Sequence, residues 1–326
     1  MNENKTRASF DQIGFVYSNK IGNNTSLRFV NFGFNYHKSK NFNRLFSMGG
    51  ALDNLSQSFQ LAQEMERYGL TESEFNDILD VKNPYTKYWN QLPVLGVMGV
   101  RTGVVDWVND SEKNIHAPWG WNGFNNNFFS KETGGISQYD FNVSFNIEDR
   151  VYLGATLGVY DVNYDRYTSY TENLNDDNGA DNGGYTLDNY YRLEGTGMDL
   201  KLGVIIRPIE SSPFRLGFAV HTPTWYDLRE SYNAALSSNI LACEAPYNQT
   251  LSDFLVTPEY DYLTYDYNLT TPWKFNISAG TTFAGAVAVG AEYEYQDYSS
   301  SKLKDVDGYE LGDQPSVENY LKGVHT

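Results

Sequence analysis

Apolar and polar residues alternate through the middle of the chain, on both sides of a short charged turn at residues 148–150. Side chains on a strand point alternately to opposite faces of a sheet, so this pattern predicts a hairpin with one apolar and one polar face. Each strand is long enough to cross a bilayer core, which takes about 9–11 tilted residues. The apolar face consists of Phe141, Val143, Phe145, Ile147, Val151, Leu153, Ala155, Leu157 and Val159.

The same alternation recurs in six further segments, so the sequence predicts about eight strands in all. In the second predicted strand, Leu27 and Phe29 are out of phase with Phe32 and Phe34, which indicates a bulge near Val30. The six segments are residues 9–19, 25–38, 190–208, 214–223, 273–283 and 286–298.

The lengths of the connections alternate as well. Connections after the first, third, fifth and seventh predicted strands are tight, whereas those after the second, fourth and sixth are long. Outer-membrane barrels have this asymmetry, with short periplasmic turns and long extracellular loops. The expected fold is therefore all-β, an antiparallel transmembrane β-barrel. The predicted loops cover residues 39–133, 168–189 and 228–268, and no strand is predicted over 299–326.

The first long loop, residues 39–133, contains apolar residues at helical spacing. One stripe ends near Gly69, which is a natural helix terminator. A second helix begins at a capping box formed by Thr71 and Glu74, and Pro84 ends it. The two apolar stripes either pack on each other or form an amphipathic clamp for an apolar ligand. The candidate ligand-binding residues are Leu55, Phe59, Met65, Phe75, Ile78 and Leu79.

Composition narrows the function classes. The chain of 326 residues has 41 acidic against 24 basic side chains, a formal net charge of −17. Nucleic-acid binding is therefore not expected, since phosphates require a basic face. The 26 tyrosines suit the aromatic girdles of a membrane barrel. No apolar run reaches the about 18 residues of a spanning helix. This does not exclude a membrane barrel, because half of the residues in each barrel strand face a polar lumen.

Residues that could carry catalysis or hold a metal do not form a recognisable pattern. The single cysteine, Cys243, has no partner for a disulfide, and the four histidines are scattered. The run that begins at Gly195 has Leu200 where a dinucleotide-binding loop needs glycine. The acidic stretch 168–189 lacks the ligand order of an EF-hand. We therefore expect no enzyme activity, no metal and no cofactor.

Several charged residues are predicted to point from the sheet into a lumen. Their mutual pairing is the simpler interpretation, and a site for a polar headgroup is the alternative. These residues are Asp199, Lys201, Arg207, Arg215, Glu292 and Glu294.

Three passages carry a resemblance to a known family: EGTGMDLKLGVIIRP at 194–208, FRLGFAVHTPTWYDL at 214–228 and YLGATLGV at 152–159. They resemble the FadL/OmpP1/TodX outer-membrane transporters, in the versions found in Bacteroidetes. The resemblance implies a fourteen-stranded barrel with an N-terminal hatch. It also implies long outer loops that capture hydrophobic compounds such as long-chain fatty acids, which then pass without ATP.

The sequence departs from this family at both ends. No hatch-like segment precedes Phe10, and no closing strand with a terminal aromatic residue follows Thr326. Residues 1–7 do not resemble a signal peptide either. About eight of fourteen strands are present, so we expect the chain to be an internal piece of a longer precursor. In domain terms, residues 1–326 form a partial barrel, and residues 39–133 form an extracellular loop with a helical pair.

The leading hypothesis is a channel in the outer membrane of a Gram-negative cell for passive uptake of hydrophobic small molecules. Outer-membrane lipid and lipopolysaccharide would surround it, and we expect a monomer. Replacing Phe59 and Phe75 by Asp is then expected to weaken fatty-acid binding while the barrel stays folded. A non-transporting barrel that acts in assembly or surface attachment is the second hypothesis. A soluble β-sandwich that binds carbohydrate is the third.

Overall fold

One 13-stranded antiparallel sheet, curled into a half-barrel, dominates the computed structural model. The structure describes residues 10–23, 25–53, 55–89, 91–112, 114–176, 178–243, 247–256, 261, 263–283 and 286–311. The strands are β1 (Gln12–Lys20), β2 (Leu27–Asn41), β3 (Arg44–Ala51), β4 (Asp106–Asp110), β5 (Ile115–Trp119), β6 (Asn122–Ile147), β7 (Val151–Asn175), β8 (Asp181–Ile206), β9 (Arg215–His221), β10 (Trp225–Ser238), β11 (Tyr247–Thr250), β12 (Thr264–Thr270), β13 (Lys274–Phe283), β14 (Val287–Gln296) and β15 (Lys302–Asp305).

The sheet is a meander with eight strand positions among the described residues, and neighbouring positions are occupied in the order of the sequence. Two consecutive strands share one position in several places: β2 and β3 both pair with β6, and β9 and β10 both pair with β8. Pro223 and Pro272 lie in the breaks between β9 and β10 and between β12 and β13. Proline cannot donate a ladder hydrogen bond, so it interrupts these two neighbouring positions. The mostly antiparallel β fold and its eight strand positions agree with the alternation pattern.

The register places the predicted apolar residues on one face of the sheet, called the outer face below. Phe34 lies opposite Phe141, and Leu157 lies opposite Leu200. A one-residue slip would move each apolar set to the other face, so the apolar rows and the register support each other. The predicted bulge is present, but the register shifts between Leu27 and Phe29, slightly before Val30.

The strands are much longer than the hydrophobic pattern indicates. β6, β7 and β8 have 26, 25 and 26 residues, and β7 connects to β8 through residues 176–180. The predicted loop over 168–189 is therefore wrong in extent. Tyr and Thr are abundant in this part and favour strands, while the polar residues on both faces conceal the period of two.

Other predicted loops also contain regular structure. Residues 39–133 include β3 and the first half of β6, so they are not irregular chain throughout. Residues 228–268 contain β11 and most of β10 and β12, and β15 lies in the segment where no strand was predicted. The tail 312–326 lies outside the described residues.

The helices are α1 (Gln57–Arg67), α2 (Glu72–Asp80), α3 (Pro84–Lys87), α4 (Val94–Arg101) and α5 (Ser252–Leu255), with one 3-10 turn at Tyr298–Ser300. The predicted pair corresponds to α1 and α2. The capping box forms as predicted: the Thr71 backbone N–H donates to Glu74 Oε2 at 2.9 Å, and the Glu74 N–H donates to Thr71 Oγ1 at 3.3 Å. Gly69 follows α1 at φ +76°, where glycine is favoured.

The four helices α1 to α4 are named the helical cap below. They pack against the C-terminal ends of β7 and β10 and the N-terminal end of β8. Leu174, Tyr185, Leu187 and Leu236 of these strands join the buried core of the cap. The register puts all four on the face opposite the outer rows, called the inner face below. The cap therefore lies on the inner face of the sheet. Within the described residues, no helix is long and apolar enough to cross a membrane.

Candidate functional site

The outer face carries a band of exposed apolar side chains at the end of the sheet with the tight turns. Phe141, Leu157, Leu202, Phe218 and Ile277, from five successive strands, are 52, 46, 49, 44 and 53% exposed. Cross-strand pairing joins them into continuous rows. An exposed apolar surface that crosses a whole sheet is far larger than the patches of ordinary soluble monomers. Apolar surface of this extent is typical of a face that contacts another protein or a membrane.

The apolar band ends sharply at one level. Val159, Met198 and Trp225 lie side by side on β7, β8 and β10, and the next outer-face row is Asp161, Thr196 and Asp227. The rows beyond are also polar: Asn163 with Glu194 and Arg229, then Asp165 with Arg192 and Ser231. Two tyrosines, Tyr36 and Tyr139, lie on the last apolar level of β2 and β6, with ring centroids 5.2 Å apart and 47° between the ring planes. Aromatic residues at the edge of an apolar band are typical of a membrane girdle.

The inner face is polar at the level of the apolar band and lines an open cavity of about 680 Å³. Three basic side chains, Lys201, Arg215 and His221, line it with Glu292 and Asn276. Arg215 makes no ion pair with a described residue, and its guanidinium lies 5.7 Å from the ring of Tyr152. The cavity can therefore accept a polar or anionic group from the inner side of the sheet.

A charged network crosses the inner face beside this cavity. Lys201 Nζ lies 3.2 Å from Asp140 Oδ1 and 3.6 Å from Asp199 Oδ1. Both carboxylates are nearly buried, at 9 and 5% exposure. His37 Nδ1 lies 3.7 Å from the second oxygen of Asp140. One lysine thus balances two buried acids that come from β6 and β8.

Hydroxyl groups complete the surroundings of Asp199. The Tyr160 hydroxyl donates to Asp199 Oδ2 at 2.7 Å, and the Thr224 hydroxyl reaches the same oxygen at 3.5 Å. Thr224 follows Pro223, so the interruption between β9 and β10 places its hydroxyl over the carboxylate. Asp199 Oδ1 is buried and has no hydrogen-bond partner among the described residues, and Lys201 is its nearest cation.

The prediction that charged lumen residues pair with one another holds for some of them. Lys201 pairs with Asp199 as expected, although its shorter contact is with Asp140, which the sequence did not single out. Glu292 and Glu294 accept hydrogen bonds from the Asn276 side chain at 2.8 and 3.2 Å. The remaining two residues differ: Arg207 donates to the backbone oxygens of Ser212 and Glu210, and Arg215 lies over Tyr152.

The six predicted ligand-binding residues do not share one surface. Met65, Phe75 and Ile78 are 0, 6 and 0% exposed and belong to the core of the helical cap. Leu55 and Leu79 are exposed and lie outside that core. Phe59 is half-buried, with its ring edge-on to Trp119 at 6.3 Å. The helices thus pack on each other as the simpler interpretation predicted, which leaves Leu55, Phe59 and Leu79 accessible to a ligand.

A buried acid that the sequence analysis missed joins the cap to the sheet. Glu172 Oε2, on β7, accepts hydrogen bonds from the hydroxyls of Tyr170 and Tyr185, both at 2.7 Å, and from the backbone N–H of Gln57 at 3.2 Å. Gln57 is the first residue of α1, whose first turn contains no acidic residue of its own. Glu172 therefore supplies the negative charge that a helix N-terminus favours. Glu172 reaches α1 because β7 continues through residues 168–175, which the sequence analysis predicted to be a loop.

Comparison of the chain with protein-family models, with curated proteins and with solved structures finds no match.

Proposed function

We propose that this chain forms part of an outer-membrane β-barrel channel that takes up hydrophobic small molecules such as long-chain fatty acids. The observation that carries the membrane proposal is the sharp end of the apolar band between Val159 and Asp161 on β7. The choice of solute comes from the resemblance of three sequence passages to the FadL/OmpP1/TodX transporters.

The height of the apolar band suits a bilayer. On β7 the band runs from Val151 to Val159, which is about 30 Å of extended chain. A strand tilt of about 40° reduces this length to about 23 Å, close to the ~25 Å band of outer-membrane barrels. A membrane-spanning sheet must also close on itself, because open edges leave backbone groups unpaired in lipid. The proposal therefore includes strands beyond the eight positions described, six of them if the barrel is fourteen-stranded.

Matched substitutions on neighbouring residues test the membrane proposal. Leu153 is on the outer face at 40% exposure, whereas Gly154 is on the inner face with open space where a Cβ would lie. Leu153→Arg places a charge in lipid and is expected to cost about 2–4 kcal/mol, whereas Gly154→Arg reaches the lumen and costs much less. Folding into lipid vesicles, followed by protection from protease, measures both. Equal tolerance of the two substitutions would argue for water on both faces.

The transport proposal is tested through exposed apolar residues in and beside the cap. The double variant Leu55→Asp/Leu79→Asp is expected to reduce fatty-acid uptake in a transport-deficient strain, since it removes apolar area without disturbing the core. Phe75→Asp is a poorer test than the sequence suggested, because Phe75 is buried and its replacement also unpacks the cap. Wild-type uptake by the double variant, at equal surface expression, would contradict a role for these residues.

A non-transporting barrel for assembly or surface attachment is the second candidate. One feature of the cap favours this candidate: most apolar residues of the cap are buried in a core shared with β7, β8 and β10. A firmly packed domain above the membrane is suited to binding a partner protein. Absence of uptake by the wild-type protein in the transport-deficient strain, at full surface expression, would select this candidate over the channel.

A further inference from the structure

One face of the chain alternates basic and apolar side chains from residue 40 to residue 48. The register of β3 on β6 places this face on the inner side of the sheet: Arg44 lies opposite Glu132, and Met48 lies opposite Phe128. Phe128 lies opposite Tyr170, which packs against the core of the helical cap. The face therefore lies beside the cap. Its five side chains, called the inner strip below, are Lys40, Phe42, Arg44, Phe46 and Met48.

The apolar end of the inner strip is exposed although it lies on the inner face. Phe46 and Met48 are 39 and 56% exposed. The ring of Phe46 lies 6.3 Å from the ring of Phe128, and Ser130, between them in the register, is only 7% exposed. Phe46, Met48 and Phe128 do not belong to the core of the cap. They form an apolar surface that the described part of the chain leaves open.

This apolar surface leads toward a residue that the proposed function assigns to solute capture. β3 ends at Ala51, and Leu55 follows at 69% exposure, with its backbone against Gly123 of β6. Between Arg44 and Met48 the strand rises about 13 Å. That length accommodates much of an extended acyl chain. The inner strip thus extends from the side of the cap to a guanidinium.

Arg44 is the basic group at the end of the apolar surface. Its guanidinium lies 5.7 Å from the centre of the Phe46 ring, and it makes no ion pair with any residue that the structure describes. Glu132 is the acid directly opposite it, and Lys40 lies on the same face opposite Ile136. Two cations and one acid leave one positive charge here, in a chain whose net charge is −17. Such a guanidinium favours a single carboxylate.

A second arginine on the same row is less available. Arg166 on β7 lies on the other side of Glu132, with its guanidinium 5.4 Å from the centre of the Tyr191 ring. The Tyr191 hydroxyl donates to Glu230 at 3.0 Å. Acids therefore flank Arg166 on both sides, whereas Arg44 has an acid on one side only. An anionic group is accordingly expected at Arg44.

We propose that the inner strip binds an amphipathic monocarboxylate, with its acyl chain on Phe46, Met48 and Phe128 and its carboxylate on Arg44. This inference deepens the proposed function and rests on it for the passage of the solute. Among hydrophobic small molecules, it selects ionised amphiphiles over neutral hydrocarbons. A neutral hydrocarbon leaves Arg44 without a partner, and a small anion buries no apolar area. Only a molecule with both characters occupies the whole site.

The experiment measures binding to the full chain in lipid nanodiscs, by displacement of a fluorescent fatty acid, with empty nanodiscs subtracted. Dodecanoate carries both the chain and the charge, dodecanol carries the chain alone, and acetate carries the charge alone. Arg44→Gln removes the guanidinium, Arg44→Lys keeps a positive charge, and Met48→Asn removes apolar area. Two controls change the outer face at the same level: Leu45→Asn, at a residue that is 64% exposed, and Lys131→Gln, opposite Leu45.

We expect Arg44→Gln to weaken dodecanoate binding about tenfold and to leave dodecanol binding unchanged, since only the carboxylate needs the guanidinium. Arg44→Lys is expected to restore part of the affinity, and Met48→Asn to weaken both long-chain probes about tenfold. The two outer-face variants are expected to bind as the wild type does. Equal binding of dodecanoate by Arg44→Gln and the wild type would overturn the proposal. Wild-type binding of dodecanol or acetate as tight as that of dodecanoate would overturn it as well.

Uptake of fatty acids by the wild type in a transport-deficient strain separates this inference from the proposed function. A protein that takes up fatty acids but binds dodecanoate no more tightly than dodecanol contradicts the inner strip and leaves the channel proposal standing. Saturable binding that depends on Arg44, without any uptake, supports the binding site and contradicts the channel.

Discussion

Lys201 Nζ lies 3.2 Å from Asp140 Oδ1, although the two residues are 61 positions apart in the chain and two strands apart in the sheet. The contact crosses β7 on the inner face, where small residues leave room for it. Gly158 is among them: a Cβ there would come within 3.3 Å of Lys201 Nζ. A glycine on the intervening strand therefore permits a salt bridge between its two neighbours.

Removing the lysine is expected to destabilise the sheet strongly. Lys201→Met leaves Asp140 and Asp199 buried without their shared cation, and loss of one partner of a buried ion pair costs about 3–5 kcal/mol. The control is Lys274→Met, whose contact with Glu294 is 4.0 Å long between groups that are 40 and 48% exposed. Exposed pairs contribute at most about 1 kcal/mol. Urea unfolding in detergent or vesicles measures both, and a similar cost for the two variants would contradict the network.

Two glycines on the inner face of β7 give a second matched pair. A Cβ on Gly158 would clash with the carboxylate of Asp199, whereas a Cβ on Gly154 meets nothing within 4 Å. Gly158→Ala is expected to displace Asp199 from Tyr160 and to cost about 1–3 kcal/mol through overpacking. Gly154→Ala is expected to stay within about 0.5 kcal/mol of the wild type. Thermal unfolding of the refolded protein measures the difference, and a harmless Gly158→Ala would show that Asp199 has another position available.

The part of the fold that the sequence predicts is the part where one face is apolar. Rows such as Leu157 opposite Leu200 follow from a period of two, because lipid or core contact requires that alternation. The capping box at Thr71 and Glu74 is equally local and was also found from sequence. The tight turn at 148–150 is likewise marked by the residues around it.

The remaining features depend on contacts between distant residues. Beyond Asp161 the outer face of β7 is polar or aromatic, and on the inner face Val162 and Leu174 are separated by polar and aromatic residues. Hydrophobic periodicity therefore no longer indicates a strand, although the ladder with β8 continues to Asn175. The buried state of Phe75 and the pairing of Lys201 with Asp140 depend on which strands and helices come together. No local pattern carries that information. A single sequence therefore identifies candidate side chains but not the surfaces they share.

Glu172 is expected to hold the helical cap on the sheet. Glu172→Ala leaves the hydroxyls of Tyr170 and Tyr185 and the N–H of Gln57 without their acceptor in a fully buried site. Unsatisfied buried donors cost about 1–3 kcal/mol each, so the cap is expected to open more often while the sheet stays folded. Limited proteolysis between α1 and α4, or hydrogen exchange of α1, detects the opening.

The control for Glu172 is Glu66→Ala, which removes a carboxylate from an exposed position on α1. It is expected to leave protease sensitivity unchanged. Glu172→Gln keeps one acceptor oxygen for the two tyrosines and is expected to fall between wild type and Glu172→Ala. Equal protection in all three variants would show that apolar contacts alone hold the cap.

The acid stability of the helical cap is expected to depend on Asp77. Hydrogen bonds from Lys87 and Tyr88, the latter at 2.7 Å, lower the pKa of Asp77 below its ordinary value of 3.8. A carboxylate whose pKa is lowered by folding stabilises the folded state above the ordinary pKa, and that contribution is lost as the pH falls through the folded value. The cap is therefore expected to weaken below about pH 4. Helical circular dichroism or hydrogen exchange of α2, followed during acid titration, measures it.

The same contact has an alkaline counterpart. Burial, and then the hydrogen bond to Asp77, raise the pKa of Tyr88 to about 12. A group whose pKa folding raises contributes stability below its ordinary pKa, and the contribution is lost as the pH rises through the folded value. Asp77→Asn is expected to flatten the acid dependence and to lower the pKa of Tyr88, which ultraviolet titration detects. Asp80→Asn removes the same charge from an exposed position of α2 and is expected to change neither. Wild-type acid dependence in Asp77→Asn would assign the effect to other carboxylates.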